Sequence, residues 1–312
     1  MNSINEKVRK FAQQIVFFQS YREAYTKLEL AVESTNLRGI PTSAVIIGPS
    51  GSGKTRLCEA FRDSFPAPHK KSYTDGIHTI IPALLCCVPP IVTLKSFCKT
   101  LLESLGCDDV RGDTVDLELR FVRLLITCQT LVIIIDEFQR LTKPGNEKQL
   151  IATIDWLLGI LNRIKIPIII AGTEECQTIV YKEIQLARRY PYCAELSYFA
   201  FDESPESEYI STLHGLDEKL YEIGQLKNGI HLTDPSIYTR LYVASQGNLE
   251  YIRQILSAAF KYCLNRQSNT IELSDFHAAC QPMRLLLSLS KKQNPFNLDI
   301  AKCFSLIEQY AP

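Results

Sequence analysis

The sequence has no excess charge of either sign, because 34 lysines and arginines balance 34 aspartates and glutamates over 312 residues. This balance excludes a uniformly basic nucleic-acid-binding protein, so any DNA contact has to come from a local patch. No apolar run approaches the ~18 residues that a membrane-spanning helix needs. The N-terminus lacks the continuous apolar stretch of a signal peptide. These absences predict a soluble protein of a reducing compartment with no membrane partner.

The eleven cysteines include no C-x-x-C pair, and a chain of this length is not a small disulfide-stapled domain. His277 and Cys280 stand three residues apart on a predicted helix, which is a spacing that could share a metal. A second ligand pair is not evident. We therefore expect the cysteines to pack as small buried hydrophobes rather than to bind zinc.

Short apolar runs alternate with segments of helical periodicity over the first two thirds of the chain. The runs at residues 43–48, 80–88, 131–135 and 166–171 predict strands, and residues 194–201 predict an edge strand. This alternation favours an α/β fold with a parallel sheet covered by helices on both faces. Beyond Phe201 the pattern becomes helical. The predicted domains are 1–201, with N-terminal helices and the α/β core, a helical lid at 202–282, and a C-terminal tail at 283–312.

The segment Gly48-Pro49-Ser50-Gly51-Ser52-Gly53-Lys54-Thr55 fits the pattern G-x-x-x-x-G-K-[ST] between a predicted strand and a predicted helix. The glycines allow backbone N–H groups to turn inward around phosphate oxygens, and the helix N-terminus adds its positive end. Lys54 supplies a charge for the β- and γ-phosphates, and the Thr55 hydroxyl is suited to hold Mg²⁺. The motif predicts a nucleotide-binding site.

Two acidic residues, Asp136 and Glu137, follow the apolar strand at 131–135. At the carboxyl end of a buried strand, Asp136 would reach the Mg²⁺ ligand shell. Glu137 is placed to polarise an attacking water, which favours hydrolysis over transfer to a bound acceptor.

Two further sequence features accompany these acids, a threonine after a strand and a pair of arginines. Thr173 ends the apolar strand at 166–171 through Ala171-Gly172-Thr173, where it could orient the water or the γ-phosphate, or cap the next helix. Arg188 and Arg189 precede the last strand. They are either a solvated basic turn or, in a ring or filament, the source of an arginine that reaches the γ-phosphate of a neighbouring subunit.

In this order, these elements resemble the AAA+ ATPases, and more specifically the TniB/TnsC transposition regulators, to which IstB is related. Further similarities are Pro89-Pro90 after the second strand, Gly247-Asn248-Leu249 before the lid helix, and Asn294-Pro295-Phe296. The resemblance covers roughly residues 20–296. It implies an AAA+ P-loop NTPase core followed by a small helical lid, in the bacterial cytoplasm.

The resemblance implies ATP and Mg²⁺ as ligands and an ATP-dependent activity. The protein would assemble on double-stranded DNA as a homo-oligomeric ring or helical filament. It would link a target selector, which could be a protein or an RNA-guided complex, to a transposase. ATP hydrolysis would disassemble the oligomer.

The site residues can be grouped by role. The nucleotide-binding residues are Gly48, Pro49, Ser50, Gly51, Ser52, Gly53, Lys54, Thr55, Arg56 and Arg253. The catalytic residues are Lys54, Asp136, Glu137, Thr173, Arg188 and Arg189, with Thr55 and Asp136 as Mg²⁺ ligands. Many AAA+ lids place an arginine three residues after the lid glycine, but here that residue is Glu250. Arg253, about one helical turn further on, either replaces that arginine or leaves the role unfilled.

Charge is unevenly distributed along the chain. Residues 138–165 carry five basic and two acidic side chains, a net charge of +3, whereas residues 201–227 carry two basic and seven acidic ones, a net charge of −5. The acidic lid is therefore an unsuitable DNA-binding face. The resemblance implies that the start of the helix containing Lys95 and Lys99 and the loop after Glu137 face a central pore. The candidate phosphate contacts are Lys95, Lys99, Lys143 and Lys148, which would be independent of DNA sequence.

Three other functions remain open from the sequence. A replication initiator or helicase loader of the AAA+ type shares the core, but it usually carries a DNA-reading winged helix for which the residues after Pro282 are too few. A P-loop kinase for a small molecule is disfavoured by Glu137 and the paired arginines. A nucleotide-gated switch that hardly hydrolyses ATP differs only in turnover.

Overall fold

The computed structural model describes residues 2–74, 76–90, 92–142 and 146–310. The chain forms two compact units. One is Tyr21–Leu196, and the other combines the residues up to Ser20 with those from Ser197 onward. The second unit thus includes the first helix of the chain. The domain boundaries at 201 and 282 stay predictions from the sequence.

A parallel five-stranded sheet forms the centre of the unit Tyr21–Leu196. Its strands in chain order are β1 (Ala44–Ile47), β4 (Ala83–Cys87), β5 (Val132–Asp136), β6 (Ile168–Gly172) and β7 (Tyr192–Glu195). Their spatial order is β4-β5-β6-β1-β7, and all neighbouring pairs are parallel. Every residue of β1, β5 and β6 is buried, as continuous apolar runs require when helices cover both faces. The predicted parallel α/β fold is confirmed.

Two short strands precede β4 and form an antiparallel hairpin, β2 (His69–Tyr73) and β3 (Gly76–Ile80). The helices of this unit are α2 (Gln19–Arg38), α3 (Lys54–Asp63), α4 (Leu94–Ser104), α5 (Thr114–Thr127), α6 (Glu147–Arg163), α7 (Glu175–Tyr181) and α8 (Ile184–Ala187). Capping boxes fix the start of α4 at Thr93 and of α5 at Asp113. The site residues at the carboxyl ends of β1, β5 and β6 therefore stand on buried, fully paired strands.

The second unit is helical. It contains α1 (Asn2–Ala12), α9 (Glu208–Gly224), α10 (Pro235–Ser245), α11 (Leu249–Asn265), α12 (Leu273–Cys280) and α13 (Ile300–Tyr310), with the short parallel strands β8 (Asn228–Gly229) and β9 (Thr270–Ile271). Arg266 joins α11 to α12 by donating from Nη2 to Asp275 Oδ2 at 2.7 Å. The segment 283–312, which the sequence predicts as a tail, contains helix α13, and its residues Cys303 and Ile307 are buried.

Several local predictions differ from the structure. The apolar run at 80–88 is divided between β3 and β4, because Pro82 lacks an N–H and separates them. The last strand ends at Glu195 instead of Phe201, where its pairing with β1 stops. The N-cap positions of α10 and α12 are Asp234 and Glu272. Asp234 Oδ2 accepts from His231 N at 2.9 Å.

Within the described ranges, no helix combines the length and the apolar character needed to cross a membrane. Nor do those ranges bring three or more histidine, cysteine, aspartate or glutamate side chains into a group that could hold a metal. All eleven cysteines are free thiols.

Candidate nucleotide-binding and hydrolysis site

The glycine-rich loop lies between β1 and α3, as the sequence predicts. Gly51 and Gly53 have φ angles of 83° and 99°, in the left-handed region that glycine adopts without strain. Gly48 is required for another reason, since a Cβ there would stand 2.1 Å from the carbonyl oxygen of Leu196. The Gly48 N–H donates to Gly172 O at 3.2 Å, which ties the loop to the end of β6. The loop is therefore held close against two strand ends.

Lys54 is only 6% exposed, and its Nζ donates to the carbonyl oxygens of Gly48 and Pro49 at 2.8 Å each. Burial lowers the pKa of Lys54, while the nearby carboxylates of Asp136 and Glu137 oppose that shift. In the same loop, the buried Ser52 Oγ has no hydrogen-bond partner in the part of the chain that the structure describes. A buried ammonium and a hydroxyl without a partner fit a loop that receives an anionic phosphate group.

Thr55 and Asp136, which are far apart in the sequence, are in direct contact. The Thr55 hydroxyl donates to Asp136 Oδ2 at 2.6 Å, and the Asp136 side chain is buried with 3% exposure. Its other oxygen, Oδ1, accepts from the Glu137 N–H at 2.8 Å. A hydroxyl and a carboxylate of this kind are the oxygen ligands that Mg²⁺ takes beside a polyphosphate, so the donor set fits that ion.

Glu137 follows Asp136 with a φ of 58°, in the left-handed region that a non-glycine residue seldom adopts. Its Oε2 is 2.8 Å from Arg140 Nη2 and accepts from Gln139 Nε2 at 3.1 Å. The side chain is 29% exposed, so water can reach it. This backbone conformation turns the chain out of β5 and holds the carboxylate beside the strand ends.

Thr173 follows β6, the neighbour of β5. Its N–H donates to Gln139 Oε1 at 3.3 Å, and its hydroxyl donates to the Glu175 carboxylate. This hydrogen bond lowers the pKa of Glu175. Glu174 is the N-cap of α7, so the capping role considered for Thr173 does not apply. A cavity of about 440 Å³ is lined by Gly48, Pro49, Thr173, Glu174, Glu175 and Thr178.

The two arginines before β7 differ in their surroundings. Arg189 Nη2 donates to Asn162 Oδ1 at 3.2 Å. Arg188 is exposed, and its guanidinium makes no hydrogen bond or ion pair with any described residue. Arg188 is thus the one of this pair whose side chain remains available to another molecule.

The remaining candidates lie around these elements or in the other unit. Arg56 pairs with Glu59 at 2.7 Å on the exposed side of α3. Lys95 and Lys148 are exposed near the starts of α4 and α6, with Lys99 half-buried one turn after Lys95. Lys143 lies outside the described residues. Arg253 belongs to the helical unit, where its Nη2 donates to Ala12 O at 2.6 Å.

Sequence reasoning missed Gln139 as a member of the site. Nothing in the sequence marks it, because its contacts to Glu137 and Thr173 arise from the adjacency of β5 and β6. Asp136 is not a solvated acid at the strand end, because its side chain is buried against Thr55.

The fold of this chain is similar to the folds of several solved structures. The Aeropyrum pernix ORC2 protein, solved as ADPNP–ADP complexes, has a TM-score of 0.57 at 14% identity, covering 82% of this chain and 66% of that one. The Thermotoga maritima RuvB Holliday junction branch migration motor has a TM-score of 0.51 at 15% identity, with coverage of 96% and 80%. The Aeropyrum pernix ORC1 protein in complex with DNA has a TM-score of 0.51 at 15% identity, with coverage of 95% and 84%.

The chain spans just under two thirds of the ORC2 chain, and at these identities the likeness concerns the fold. No curated protein matches by sequence. The model of a family described as bacterial TniB protein matches residues 9–196, which is more than half of the chain. The chain belongs to the TniB family and has the fold of an AAA+ P-loop NTPase.

Proposed function

We propose that this protein is an ATP-hydrolysing, DNA-binding regulator of transposition. It oligomerises on target DNA, links a target selector to a transposase, and disassembles on hydrolysis. The observation that carries the proposal is the contact between Thr55 and Asp136 at 2.6 Å beside Lys54 and Glu137. The family match to bacterial TniB proteins supports transposition and the bacterial cytoplasm, and favours them over the helicase-loader alternative.

In the proposed reaction, the loop from Gly48 to Thr55 binds the phosphates of ATP through its backbone N–H groups, with Lys54 at the β- and γ-phosphates. A Mg²⁺ ion held by Thr55 and Asp136 would neutralise charge on those phosphates. Glu137 accepts a proton from the attacking water. Thr173 lies on the neighbouring strand end, where its main chain orders this edge of the site. Ser50, Ser52 and Arg56 complete the proposed nucleotide contacts.

An oligomer is supported by the surface around Arg188. The guanidinium is exposed, and the nearby side chains of Ile184 and Tyr181 are 75% and 39% exposed. Apolar side chains beside an available arginine suit a contact with a second copy of this chain. Across such a contact, Arg188 would reach the γ-phosphate held by the neighbouring subunit and neutralise charge during transfer.

Arg188→Ala is expected to lower ATP turnover by about a thousandfold if the arginine acts across a subunit contact. Mixing Arg188→Ala with Lys54→Ala subunits should restore part of the turnover, because a functional loop then meets a functional arginine. Phosphate release is measured across mixing ratios. Arg189→Ala is the control, since Asn162 already occupies that guanidinium. Absence of recovery at every ratio would count against this placement.

DNA binding is proposed for Lys95 and Lys99 on α4 and for Lys148 at the start of α6. Their ammonium groups make no hydrogen bonds or ion pairs to the residues described, so they are available to phosphates. Lys143 stays a candidate from the sequence alone. The structure of ORC1 with DNA is an example of DNA binding on a similar fold. Because these lysines are point charges, their contacts would not read base sequence.

Replacing Lys95 and Lys99 together by alanine is expected to weaken binding to duplexes of any sequence. The slope of log affinity against log salt concentration should become shallower by about 2, corresponding to two lost phosphate contacts. Fluorescence anisotropy at several salt concentrations measures both effects. Lys261→Ala with Lys302→Ala, exposed lysines on α11 and α13, makes the same change in net charge and should leave the slope unaltered. An unchanged slope in the first variant would contradict the assignment.

Arg253 is the lid residue proposed to contact nucleotide. Its Nη2 donates to a main-chain carbonyl of α1, at Ala12, and Glu250 occupies the position where many lids have an arginine. We propose that Arg253 contacts nucleotide only when this hydrogen bond is exchanged for one to phosphate.

A further inference from the structure

The carboxylate of Glu137 is held through one of its two oxygens. Oε2 forms an ion pair with Arg140 Nη2 at 2.8 Å and accepts a hydrogen bond from Gln139 Nε2 at 3.1 Å. Oε1 receives no hydrogen bond from the residues that the structure describes. An ion pair and a hydrogen bond on one oxygen fix the plane of the carboxylate and leave the other oxygen to accept a proton.

Gln139 and Arg140, the two partners of Oε2, are hydrogen-bonded at the ends of the strands on either side of β5. Gln139 Oε1 accepts from the Thr173 N–H, directly after β6, at 3.3 Å. Arg140 Nη1 donates to Val88 O, directly after β4, at 2.7 Å. Glu137 is thus linked to the ends of both strands beside β5, and these strands hold its carboxylate in position.

Gly172, the last residue of β6, makes room for this arrangement. A Cβ on Gly172 would lie 2.1 Å from Gln139 Oε1 and 2.5 Å from Cys176 Sγ. Its φ is not positive, so conformational freedom does not account for a glycine at this position. The space that a side chain would fill is taken by the amide of Gln139.

Only a primary amide of this length satisfies both neighbours. The Thr173 N–H can only donate, which fixes Oε1 toward it and Nε2 toward the carboxylate. A glutamate at 139 would set an acceptor against Glu137, and a methionine would lose both hydrogen bonds. The side chain therefore has an orientation that its neighbours dictate.

We propose that Gln139 is a positioning residue for ATP hydrolysis. It holds Oε2 of Glu137 so that Oε1 is presented to the attacking water, and it couples this orientation to the turn at Thr173 that lines the cavity beside the glycine-rich loop. The inference rests on the proposed function, because it assigns the proton-accepting role to Glu137.

The test uses Gln139→Met, which keeps the length of the side chain and removes its hydrogen bonds with Glu137, Thr173 and Cys176. With Glu137 misoriented, kcat for ATP hydrolysis should fall about ten- to a hundredfold. The dissociation constant of ATP, measured by calorimetry, should be unchanged, because Gln139 bonds no residue of the loop. Gln254→Met removes the same kind of amide-to-carboxylate hydrogen bond, from Gln254 Nε2 to Glu250 Oε1 at 2.9 Å on the exposed face of α11, and should retain kcat.

Two further variants separate positioning from folding. Gln139→Asn keeps the amide but is one methylene shorter, so it cannot reach both partners and should also lose kcat; it replaces the methionine variant if circular dichroism shows that variant unfolded. In a Glu137→Gln background, Gln139→Met should cause no additional loss, since the two residues act as one unit.

Failure of this inference is distinguishable from failure of the proposed function. If Glu137→Gln loses turnover while folded Gln139→Met and Gln139→Asn keep the wild-type kcat, Gln139 is not a positioning residue. A loss confined to ATP affinity would overturn the inference as well. If Glu137→Gln itself keeps wild-type turnover, the proposed hydrolytic role of Glu137 is wrong.

Discussion

Lys54→Ala should abolish ATP binding, with a loss of affinity of about a hundredfold or more because a charge-assisted contact to phosphate is removed. The Nζ atom is buried against the loop carbonyls of Gly48 and Pro49. Bound phosphate would draw it from those carbonyls without a large change of backbone. Burial lowers the pKa of Lys54 because the charged form loses its hydration. Since burying this charge is unfavourable, the fold should tolerate its removal in Lys54→Ala.

Titration with a fluorescent ATP analogue measures this loss, and a thermal melt checks that the variant is folded. Lys70→Ala is a suitable control, since Lys70 is exposed on β2 and makes no ion pair with described residues. If Lys54→Ala binds ATP as the wild type does, the loop does not hold the phosphates.

Glu137→Gln is the second variant with a large expected effect. It should bind ATP normally and lose about a hundred- to ten-thousandfold in turnover, which is the usual contribution of a general base. The amide is isosteric, but it cannot take the proton from water. With ATP and duplex DNA, the variant should accumulate as oligomers on DNA, because hydrolysis no longer disassembles them.

Phosphate release and electron microscopy provide the two readouts for Glu137→Gln. Glu118→Gln is the matched control, since Glu118 also pairs with an arginine, Arg163, at 3.5 Å on the α5–α6 surface. That variant should behave as the wild type in both assays. Electron micrographs that show only monomers of Glu137→Gln with ATP and duplex would contradict trapping, and residual turnover at the wild-type level would contradict the role in hydrolysis.

The sequence was sufficient for the parts of the fold that depend on burial. Continuous apolar runs identified β1, β5 and β6 because both faces of those strands are covered. Helical periodicity between those runs predicted the covering helices, because each, like α6, buries one stripe of its surface. The glycine-rich motif placed Lys54 and Thr55 at the start of α3 because the pattern itself contains the turn and the helix.

The remaining parts depend on contacts that local sequence does not encode. The hairpin of β2 and β3 is largely exposed apart from Ile80, so no apolar run marks most of it. The end of β7 is set by pairing with β1, which no segment of β7 reveals alone. Gln139 gains its contacts only when β5 and β6 become neighbours, and the availability of Arg188 over Arg189 depends on where Asn162 lies on α6.

Gly48 is packed so closely against Leu196 that no side chain fits at this position. Leu196, whose carbonyl oxygen occupies the space of a Cβ, is the last residue of the nucleotide-binding unit, and Ser197 opens the next. Leu196 also donates its N–H to Ile47 O at 2.9 Å. The residue that follows β7 is therefore hydrogen-bonded to the end of β1, directly before the glycine-rich loop. A residue larger than glycine at position 48 would therefore displace the Leu196 carbonyl together with the start of the loop, so the packing of these two segments is interdependent.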